Sequence, residues 1–300
     1  MIHCGLALFL LLAAAGAVGA ADAPRYTVRT FAPPFEPARV NNRGVVLANS
    51  RDRAGGRRAA LVDGDKVTVL PTLGGAHAVA TGFNDRNEVV GHSQLAGPDH
   101  VWHAFLYRDG VMTDLGRSDS IESEAVAINS AGQIIGNIHR PDGTSRCFLH
   151  WPGTGRIDIG TLGGPNCDAY LLGESGDVIG NAQMAGGDMA YFVYREGVMR
   201  EFRPGLDALE GFAPNGLALP LNMNVVLKVS GRYAVGRDAA TMVPVLLIDG
   251  AEMYALDDLA GDDWRAVEGI SVNQSGQIVA RACKAASGHC EAVLLTPVVR

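Results

Sequence analysis

The sequence has 300 residues, of which 47% are apolar and 19% charged, a composition that excludes an intrinsically disordered chain. Its net charge of −7 leaves no basic stripe to neutralise phosphates, and we therefore expect no nucleic-acid partner. The length allows one large domain or two ordinary ones.

The chain begins with an apolar run from Leu6 to Leu12, and small residues follow it as far as Ala21. This arrangement is typical of a secretory signal peptide, so residues 1–21 are predicted to be removed on export to the periplasm or the medium. The run is too short to span a bilayer as a helix. We expect the mature protein, residues 22–300, to be soluble and not inserted in a membrane.

A short signature recurs six times in the mature chain: an asparagine or glycine, then a turn, then a run rich in valine and isoleucine. The clearest copy reads Ile-Asn-Ser-Ala-Gly-Gln-Ile-Ile-Gly, from Ile128 to Gly136. The signature residues are Asn41, Asn84, Asn129, Gly173, Asn222 and Asn273, spaced by 43, 45, 44, 49 and 51 residues. Spacings in the forties are typical of a four-stranded propeller blade.

Each copy divides into four short strands. In the third copy, residues 124–129 alternate between two faces, and Gly132 can supply the positive φ that a tight hairpin turn needs. Arg146 to Trp151 and Arg156 to Ile159 follow as the third and fourth strands. Short alternating runs at this regular spacing, separated by turn glycines, predict an all-β fold.

The two ends of the mature chain complete each other. The sixth copy stops before its fourth strand, and Arg25 to Phe31 precedes the first signature as an additional strand. We therefore predict a six-bladed β-propeller of four-stranded blades, with the last blade closed by the N-terminal strand Tyr26 to Phe31. The large apolar residues of the third strands should pack between neighbouring blades. They are Phe105, Phe148, Phe192, Leu246 and Val293.

Two glycine boxes, Leu73 to Gly75 and Leu162 to Gly164, lie between the last strand of one copy and the first strand of the next. We interpret them as crossings where bulky side chains would collide. The alternative is that their backbone amides bind an anion, but they lack both the spacing and the lysine of a P-loop.

Four cysteines follow the predicted signal peptide, an even number that favours disulfides in an exported chain. Cys283 and Cys290 flank the loop between the second and third strands of the sixth copy, so they fall on adjacent antiparallel strands. Cys147 and Cys167 begin strands of neighbouring copies. Four cysteines allow three pairings, and this topology favours Cys283–Cys290 together with Cys147–Cys167.

Three boxes recur in the same order. They read Asp-Ile-Gly-Thr-Leu-Gly-Gly (Asp158 to Gly164), the signature box (Ala125 to Gly136), and His-Ala-Phe-Leu-Tyr-Arg-Asp-Gly-Val-Met-Thr-Asp-Leu-Gly (His103 to Gly116). Together they resemble the HAF-type extracellular repeat family, named after the tripeptide at His103. The resemblance implies a bacterial, exported, propeller-like protein, and it implies no activity or functional residues. We interpret His103 itself as making a hydrogen bond within the repeat.

Catalytic motifs are absent from the sequence: there is no His-Glu-x-x-His, nucleophile elbow, EF-hand loop or dinucleotide fingerprint. No cofactor is expected, and metal binding is left open. In a propeller, the loops between second and third strands share one face with the crossings between blades, and here those segments vary most. The candidate binding residues on this face are Asp99, His100, Asp119, Glu122, Arg140, Asp188, Asp262, Asp263 and Trp264.

Two functions are therefore considered. The first is a monomeric binding or scaffold propeller that recognises an extracellular or periplasmic glycan, peptide or surface partner. The second is a propeller hydrolase or lyase with carboxylates around the channel mouth. An enzyme needs these groups to converge with perturbed pKa values, whereas a binding surface can be spread out. The alternative to both functions is that the variable segments are ordinary solvated loops that bind no ligand.

Overall fold

The computed structural model describes residues 24–31, 34–51, 55–116, 120–202, 225–238, 241–249 and 252–298. Regular structure in these ranges is almost entirely β-strand, and the helix α1 (Leu256–Ala260) has five residues. The chain is therefore all-β, as its repeats predicted. Within the same ranges, no helix is long and apolar enough to cross a membrane. The predicted signal peptide lies outside the described residues.

In sequence order the strands fall into antiparallel sets of four, which we call units 1 to 6. Units 2 and 3 are joined in one eight-stranded sheet by a parallel pairing of Trp102 with Glu122. The chain starts with β1 (Tyr26–Thr30). Unit 1 contains β2 (Phe35–Val40), β3 (Val46–Arg51), β4 (Arg57–Asp63) and β5 (Lys66–Val69). Unit 2 contains β6 (Gly74–Phe83), β7 (Val89–Leu95), β8 (Trp102–Arg108) and β9 (Val111–Asp114). Unit 3 contains β10 (Glu122–Ile128), β11 (Ile134–His139), β12 (Ser145–Trp151) and β13 (Gly155–Asp158).

The second half of the chain continues the series. Unit 4 contains β14 (Gly163–Leu172), β15 (Val178–Met184), β16 (Met189–Arg195) and β17 (Val198–Glu201). Unit 5 contains β18 (Val225–Ser230), β19 (Tyr233–Arg237), β20 (Pro244–Ile248) and β21 (Glu252–Ala255). Unit 6 contains β22 (Trp264–Val272), β23 (Ile278–Lys284) and β24 (Cys290–Pro297), with β1 as its fourth strand.

Strand β1 takes the position that the sixth copy left without a strand. It pairs antiparallel with β24, from Tyr26 opposite Pro297 to Thr30 opposite Val293. Unit 6 is therefore built from both ends of the described chain. Unit 1 also packs against unit 6, because Val46 of β3 and Val279 of β23 are buried in the same hydrophobic cluster.

Because successive strands run in opposite directions, each unit has two ends of different character. The turns between first and second strands all lie at one end, which we call the turn face. The loops between second and third strands lie at the other end, together with the crossings from each unit to the next. We call this end the loop face.

The third strands explain a repeated glycine in the second strands. Phe148 is 1% exposed and lies opposite Gly136, where an added Cβ would be 2.4 Å from the ring and 2.1 Å from the carbonyl oxygen of Glu124. Phe105 and Phe192 are fully buried against glycines in the same way. These residues and Val293 confirm the predicted buried positions.

Unit 5 departs from the predicted alignment in two places. The third-strand residue opposite the repeated glycine, Gly236, is Val245 and not the predicted Leu246, which is the next residue along the strand. Leu246 is also buried. Asn222 lies outside the described residues, and the turn between β18 and β19 lies further along the chain, between Ser230 and Tyr233. The valine run that suggested a second strand belongs to β18, the first strand of its unit.

The signature asparagines link neighbouring units at the turn face. Nδ2 of Asn41 donates to the carbonyl oxygen of Asn84 at 3.2 Å, Asn84 donates to Asn129 at 3.1 Å, and Asn129 donates to Gly173 at 3.1 Å. Asn273 donates to the carbonyl oxygen of Asn41 at 2.8 Å. Each Oδ1 accepts from backbone amides of its own turn. The spacing of the signature predicted the turns, and the hydrogen bonds between units are an additional finding.

Both predicted disulfides are present. Cys147 of β12 is bonded to Cys167 of β14, which joins unit 3 to unit 4. Cys283 and Cys290 are opposite each other on β23 and β24, and their disulfide lies within unit 6. All four cysteines lie toward the loop-face ends of their strands, so the covalent links belong to that end of the molecule.

The glycine boxes form the crossings into units 2 and 4. In the first box, the Thr72 hydroxyl donates to the carbonyl oxygen of Gly75 at 2.8 Å, and Gly74 has a positive φ of 103°. A Cβ on Gly75 would lie 2.7 Å from the backbone oxygen of Leu95. The second box has the same contacts. Close backbone approach therefore explains these glycines without a ligand.

Candidate functional site

The predicted binding residues do lie at the loop face, but in different units. Asp99 and His100 belong to the loop between β7 and β8, Glu122 begins β10, Arg140 follows β11, Asp188 precedes β16, and Asp262 and Asp263 precede Trp264 at the start of β22. Asp119 lies outside the described residues. The face is therefore the one predicted, with its candidates distributed around it.

The structure does not bring these candidates together. No hydrogen bond or ion pair joins two of them in the part of the chain that the structure describes. His100 instead contacts the Gln94 amide through Nδ1, and Trp264 lies beneath the Lys284 ammonium at 5.8 Å from the ring centre. The described residues contain no group of three histidines, cysteines or carboxylates arranged to hold a metal ion. The predicted set is thus a surface rather than one compact site.

A different group forms a compact cluster just beneath the loop face of units 2 and 3. The indole of Trp102 stacks on His77, with ring centres 5.7 Å apart and planes inclined by 18°. The ring of His92 meets the same indole edge-on at 5.1 Å and 66°. We call His77, His92, Trp102 and Glu124 the Trp102 cluster. Its members come from β6, β7, β8 and β10, so it spans two units.

The histidines of the cluster differ in their hydrogen bonding. Nδ1 of His77 accepts from the backbone amide of Arg57 at 3.0 Å, so a neutral His77 carries its proton on Nε2. Nδ1 of His92 is buried and has no hydrogen-bond partner. The nearest carboxylate oxygen, Oε2 of Glu124, is 4.0 Å away, which is too long for a hydrogen bond. His92 therefore keeps an unused polar atom beside an aromatic surface.

Electrostatics at His92 favour the neutral imidazole. Burial lowers the pKa of His92 below its ordinary value, Arg57 lowers it further, and the carboxylates of Glu124 and Glu122 oppose that change. Glu124 is itself oriented, because its Oε1 accepts from Nδ2 of Asn137 at 3.2 Å. The cluster thus presents a neutral histidine, a carboxylate and a half-buried indole within one small region.

Comparison with the other units shows what His92 replaces. The equivalent residue in unit 1, Asn49, clamps the backbone of Ala80 in the next unit with bonds of 3.0 and 2.9 Å. Asn137 clamps Ala169 in the same way, at 3.3 and 2.8 Å. His92 makes no such clamp, and the carbonyl oxygen of Ala125 accepts from the Thr81 hydroxyl instead, at 2.6 Å.

The Trp102 cluster was not predicted from the sequence, although the sequence contains a signal for it. After the repeated glycine or alanine of the second strand, units 1, 3 and 4 have asparagine, units 5 and 6 have arginine, and unit 2 has His92. A histidine between units that have asparagine is a reason to look for a specific role. The predicted binding residues were chosen from variable loops, and loops vary whether or not they bind a ligand.

His103, the first residue of the His-Ala-Phe box, has the structural role that was predicted. Its Nδ1 lies 2.9 Å from Oδ2 of Asp114, which also accepts through Oδ1 from the backbone amide of Gly116 at 2.7 Å. A Cβ on Gly116 would lie 2.2 Å from the imidazole ring. The His-Ala-Phe box and the Asp-Leu-Gly box are therefore two halves of one contact between β8 and β9.

Comparisons with known proteins add distant structural likenesses. No protein-family model and no curated protein sequence matches this chain. AofleA from Arthrobotrys oligospora is 9% identical, with a TM-score of 0.45 over 95% of this chain and 92% of its own. A putative TolB from Agrobacterium tumefaciens is 15% identical, with a TM-score of 0.44 over 93% of this chain and 100% of its own. XC5397 from Xanthomonas campestris, described as a gluconolactonase, is 12% identical, with a TM-score of 0.43 over 94% of each chain. Likenesses of this size assign neither a family nor an activity to this chain.

Proposed function

We propose that the six units are the blades of one closed β-propeller, a single domain in residues 22–300. Three contacts between the ends of the chain support closure: the pairing of β1 with β24, the bond from Asn273 to Asn41, and the shared packing of Val46 and Val279. A closed ring leaves no unpaired strand edge between the first and last blades. From the three boxes that recur in the sequence, we further propose that the chain belongs to the HAF-type repeat family.

We also propose that the protein is exported and acts as a monomer outside the cytoplasm. The two disulfides support this placement, since disulfides form and persist in oxidising compartments. The apolar run near the start of the sequence supports a signal peptide as the route. The partner is then an extracellular or periplasmic molecule, and the negative net charge makes nucleic acid an unsuitable one.

Within that setting, the protein functions as a binding module for a polar ligand, of which a glycan is the best fit. The observation that carries this proposal is the Trp102 cluster, where a half-buried indole adjoins the buried, unpartnered Nδ1 of His92. Sugars present an apolar ring face that stacks on an indole and hydroxyl groups that bond to histidine and carboxylate. Nδ1 of His92 is enclosed in this structure, so the accessible groups for a sugar are the indole of Trp102 and the carboxylate of Glu124, whose side chain is 41% exposed.

A glycan-array and metal screen of the mature protein tests this function, followed by calorimetry with the glycan that binds. Trp102→Ala should lower affinity at least tenfold. Trp151→Ala should leave it unchanged, because that tryptophan is exposed at the turn-face end of β12. Thermal melting would establish that both variants fold. If Trp264→Ala abolished binding and Trp102→Ala did not, the ligand would lie in unit 6 and the proposed location would be wrong.

The second candidate, a hydrolase or lyase, has one observation in its favour. His92 is held neutral beside Glu124, which is a suitable arrangement for a general base and its carboxylate partner. Incubating the mature protein with any polysaccharide it binds, and assaying for new reducing ends, separates the two functions. Turnover that His92→Gln and Glu124→Gln both abolish would favour the enzyme. Binding without turnover would favour the module.

A further inference from the structure

A cavity of about 340 Å³ lies where the first strands of units 1, 2 and 6 meet. Its walls are Ala38 and Arg39 of β2, Thr81 of β6, and Glu268, Gly269 and Ile270 of β22. Each of these strands has a β-bulge at this level. A bulge re-aims a side chain away from the sheet, so the three strands turn residues toward the same space. The volume falls in the range of about 300–1,000 Å³ that small-molecule sites occupy.

Arg39 is the notable group in this cavity. Its Nε donates to the carbonyl oxygen of Thr81 at 2.7 Å, which fixes the plane of the guanidinium. None of the carboxylates that the structure describes lies within ion-pair distance of Arg39. Burial lowers the pKa of Arg39, yet a guanidinium keeps its proton at neutral pH. A partly buried positive charge therefore adjoins a cavity without a compensating anion from the described protein.

The one carboxylate in the cavity wall is already paired. Glu268 forms an ion pair with Arg237 through Oε1, so this pair is neutral as a whole. The Thr81 hydroxyl donates its proton to the carbonyl oxygen of Ala125 at 2.6 Å. The cavity consequently has a net charge of about +1 from Arg39. That balance favours a monoanion, because the second oxygen of Glu268 would repel a dianion.

We propose that this cavity binds a small organic monocarboxylate, with the two terminal nitrogens of Arg39 donating to its carboxylate. The fork of a guanidinium matches the two oxygens of a carboxylate, and Nε is already held by Thr81, so the fork is preorganised. The site is separate from the Trp102 cluster and goes beyond the proposed glycan-binding function. A sugar acid combines a single carboxylate with a size that suits the cavity.

Calorimetry on the full mature chain tests the proposal with four probes: glucuronate, galacturonate, neutral glucose and inorganic phosphate. One of the uronates should bind, glucose should not bind at this site, and phosphate should bind more weakly than the uronate. Arg39→Gln should weaken the uronate at least tenfold, while Arg39→Lys retains part of the affinity. Arg29→Gln is the matched control, because Arg29 lies on β1 and contacts Gly64 and Asp65 instead. The Arg29→Gln variant should bind the uronate as tightly as the wild type does.

Two further variants keep the test decisive. Glu268→Gln removes the nearby negative charge and should increase the affinity for both the uronate and phosphate. Trp102→Ala should leave uronate binding unchanged, which separates this site from the proposed function. The proposal is overturned if neither uronate binds the wild type, if Arg39→Gln binds as tightly as the wild type, or if Glu268→Gln fails to tighten either anion.

Discussion

The two ends of the units are held together by different means. At the turn face, buried asparagines repeat one hydrogen bond from unit to unit, as from Asn84 to Asn129. A second contact follows beside it, where the backbone amide of Asn42 donates to Asp85 and that of Ser130 donates to Glu174. At the loop-face half, the described predicted residues make no such mutual contacts. The units are joined there by the clamps of Asn49 and Asn137, which unit 2 lacks at His92, and by the disulfide between Cys147 and Cys167.

This difference indicates which end is scaffold and which end is free to acquire a function. Replacing a signature asparagine such as Asn129 leaves a backbone carbonyl of the next unit and an amide of its own turn without a partner. A residue such as His92 can replace an asparagine of the loop-face half because another group, Thr81, takes over a contact to the next unit. The Trp102 cluster and the proposed ligand therefore belong to the end where unit 2 interrupts a repeated contact.

The largest expected effect comes from removing the strand that joins the two ends of the chain. Deleting residues 22–33 from the mature protein exposes the edge of β24, because β1 is its pairing partner. We expect aggregation or the loss of cooperative melting, measured by circular dichroism and size-exclusion chromatography. A synthetic peptide of residues 22–33 should partly restore the melt. A truncated protein that melts like the full mature chain would contradict closure through β1.

Phe148→Ala tests the core that both faces share. The ring is 1% exposed and lies against Gly136, so its removal leaves a cavity that the neighbouring strand cannot fill. We expect a loss of about 3–5 kcal/mol in the free energy of unfolding. Trp151→Ala, on the same strand but 45% exposed, should change it by only about 0.5 kcal/mol. Urea unfolding of both variants makes the comparison, and a loss below about 1 kcal/mol for Phe148→Ala would refute the packing.

The next largest losses of stability are expected from removing the disulfides, both of which lie at the loop face. Replacing Cys147 and Cys167 by alanine opens a link with a sequence separation of 20, and replacing Cys283 and Cys290 opens one of 7. Chain entropy predicts losses of about 3 and about 2 kcal/mol, because a longer closed loop restricts the unfolded chain more. Urea unfolding under oxidising conditions measures both. The reverse order of the two losses would mean that the disulfides act mainly on the folded state.

A single asparagine should cost less than a disulfide but more than any loop-face candidate. Asn129→Ala removes the bond to Gly173 and leaves buried amides and carbonyls without partners. We expect a loss of about 1–3 kcal/mol. Asp188→Ala, an exposed candidate on the loop face, should stay within about 0.5 kcal/mol of the wild type. Equal losses for the two variants would remove the distinction between the faces.

The smallest expected effect is a change in stability at acid pH. The folded state holds the pKa of His92 below its ordinary value of 6.5, so the unfolded chain binds this proton more readily. The stability that results is complete above pH 6.5 and falls as the pH decreases below it. His92→Gln should flatten that part of the profile, measured as the free energy of unfolding against pH. An unchanged slope below pH 6.5 would show that His92 is not desolvated.

The turn face has its own acid response at lower pH. Burial alone would raise the pKa of Glu88. Hydrogen bonds from Arg86 and Asn84 and the charge of Arg108 lower the pKa by more than burial raises it, so the net shift is downward. Its contribution to stability is present above the ordinary value of 4.5 and is lost as the pH falls below it. Glu88→Gln should remove the loss below pH 4.5 and leave the region near pH 6 unchanged.

Much of the local structure was determined by the sequence itself. Alternating side chains and turn glycines placed the hairpins of the third copy, and antiparallel register brought Cys283 opposite Cys290. The spare strand at Tyr26 to Phe31 could also be matched to the copy that lacked one. These features depend on neighbours along the chain or on strand pairing, and both leave a periodic trace in the sequence.

Only the tertiary structure decided which side chains meet across units. Nothing in the spacing shows that the amide of Asn129 reaches the carbonyl oxygen of Gly173, or that His77, His92 and Trp102 share one cluster. The turn of unit 5 was misplaced because two valine-rich strands look alike when read singly. Contacts between units depend on how strands twist and bulge in three dimensions, and those angles leave no period in the sequence to be read.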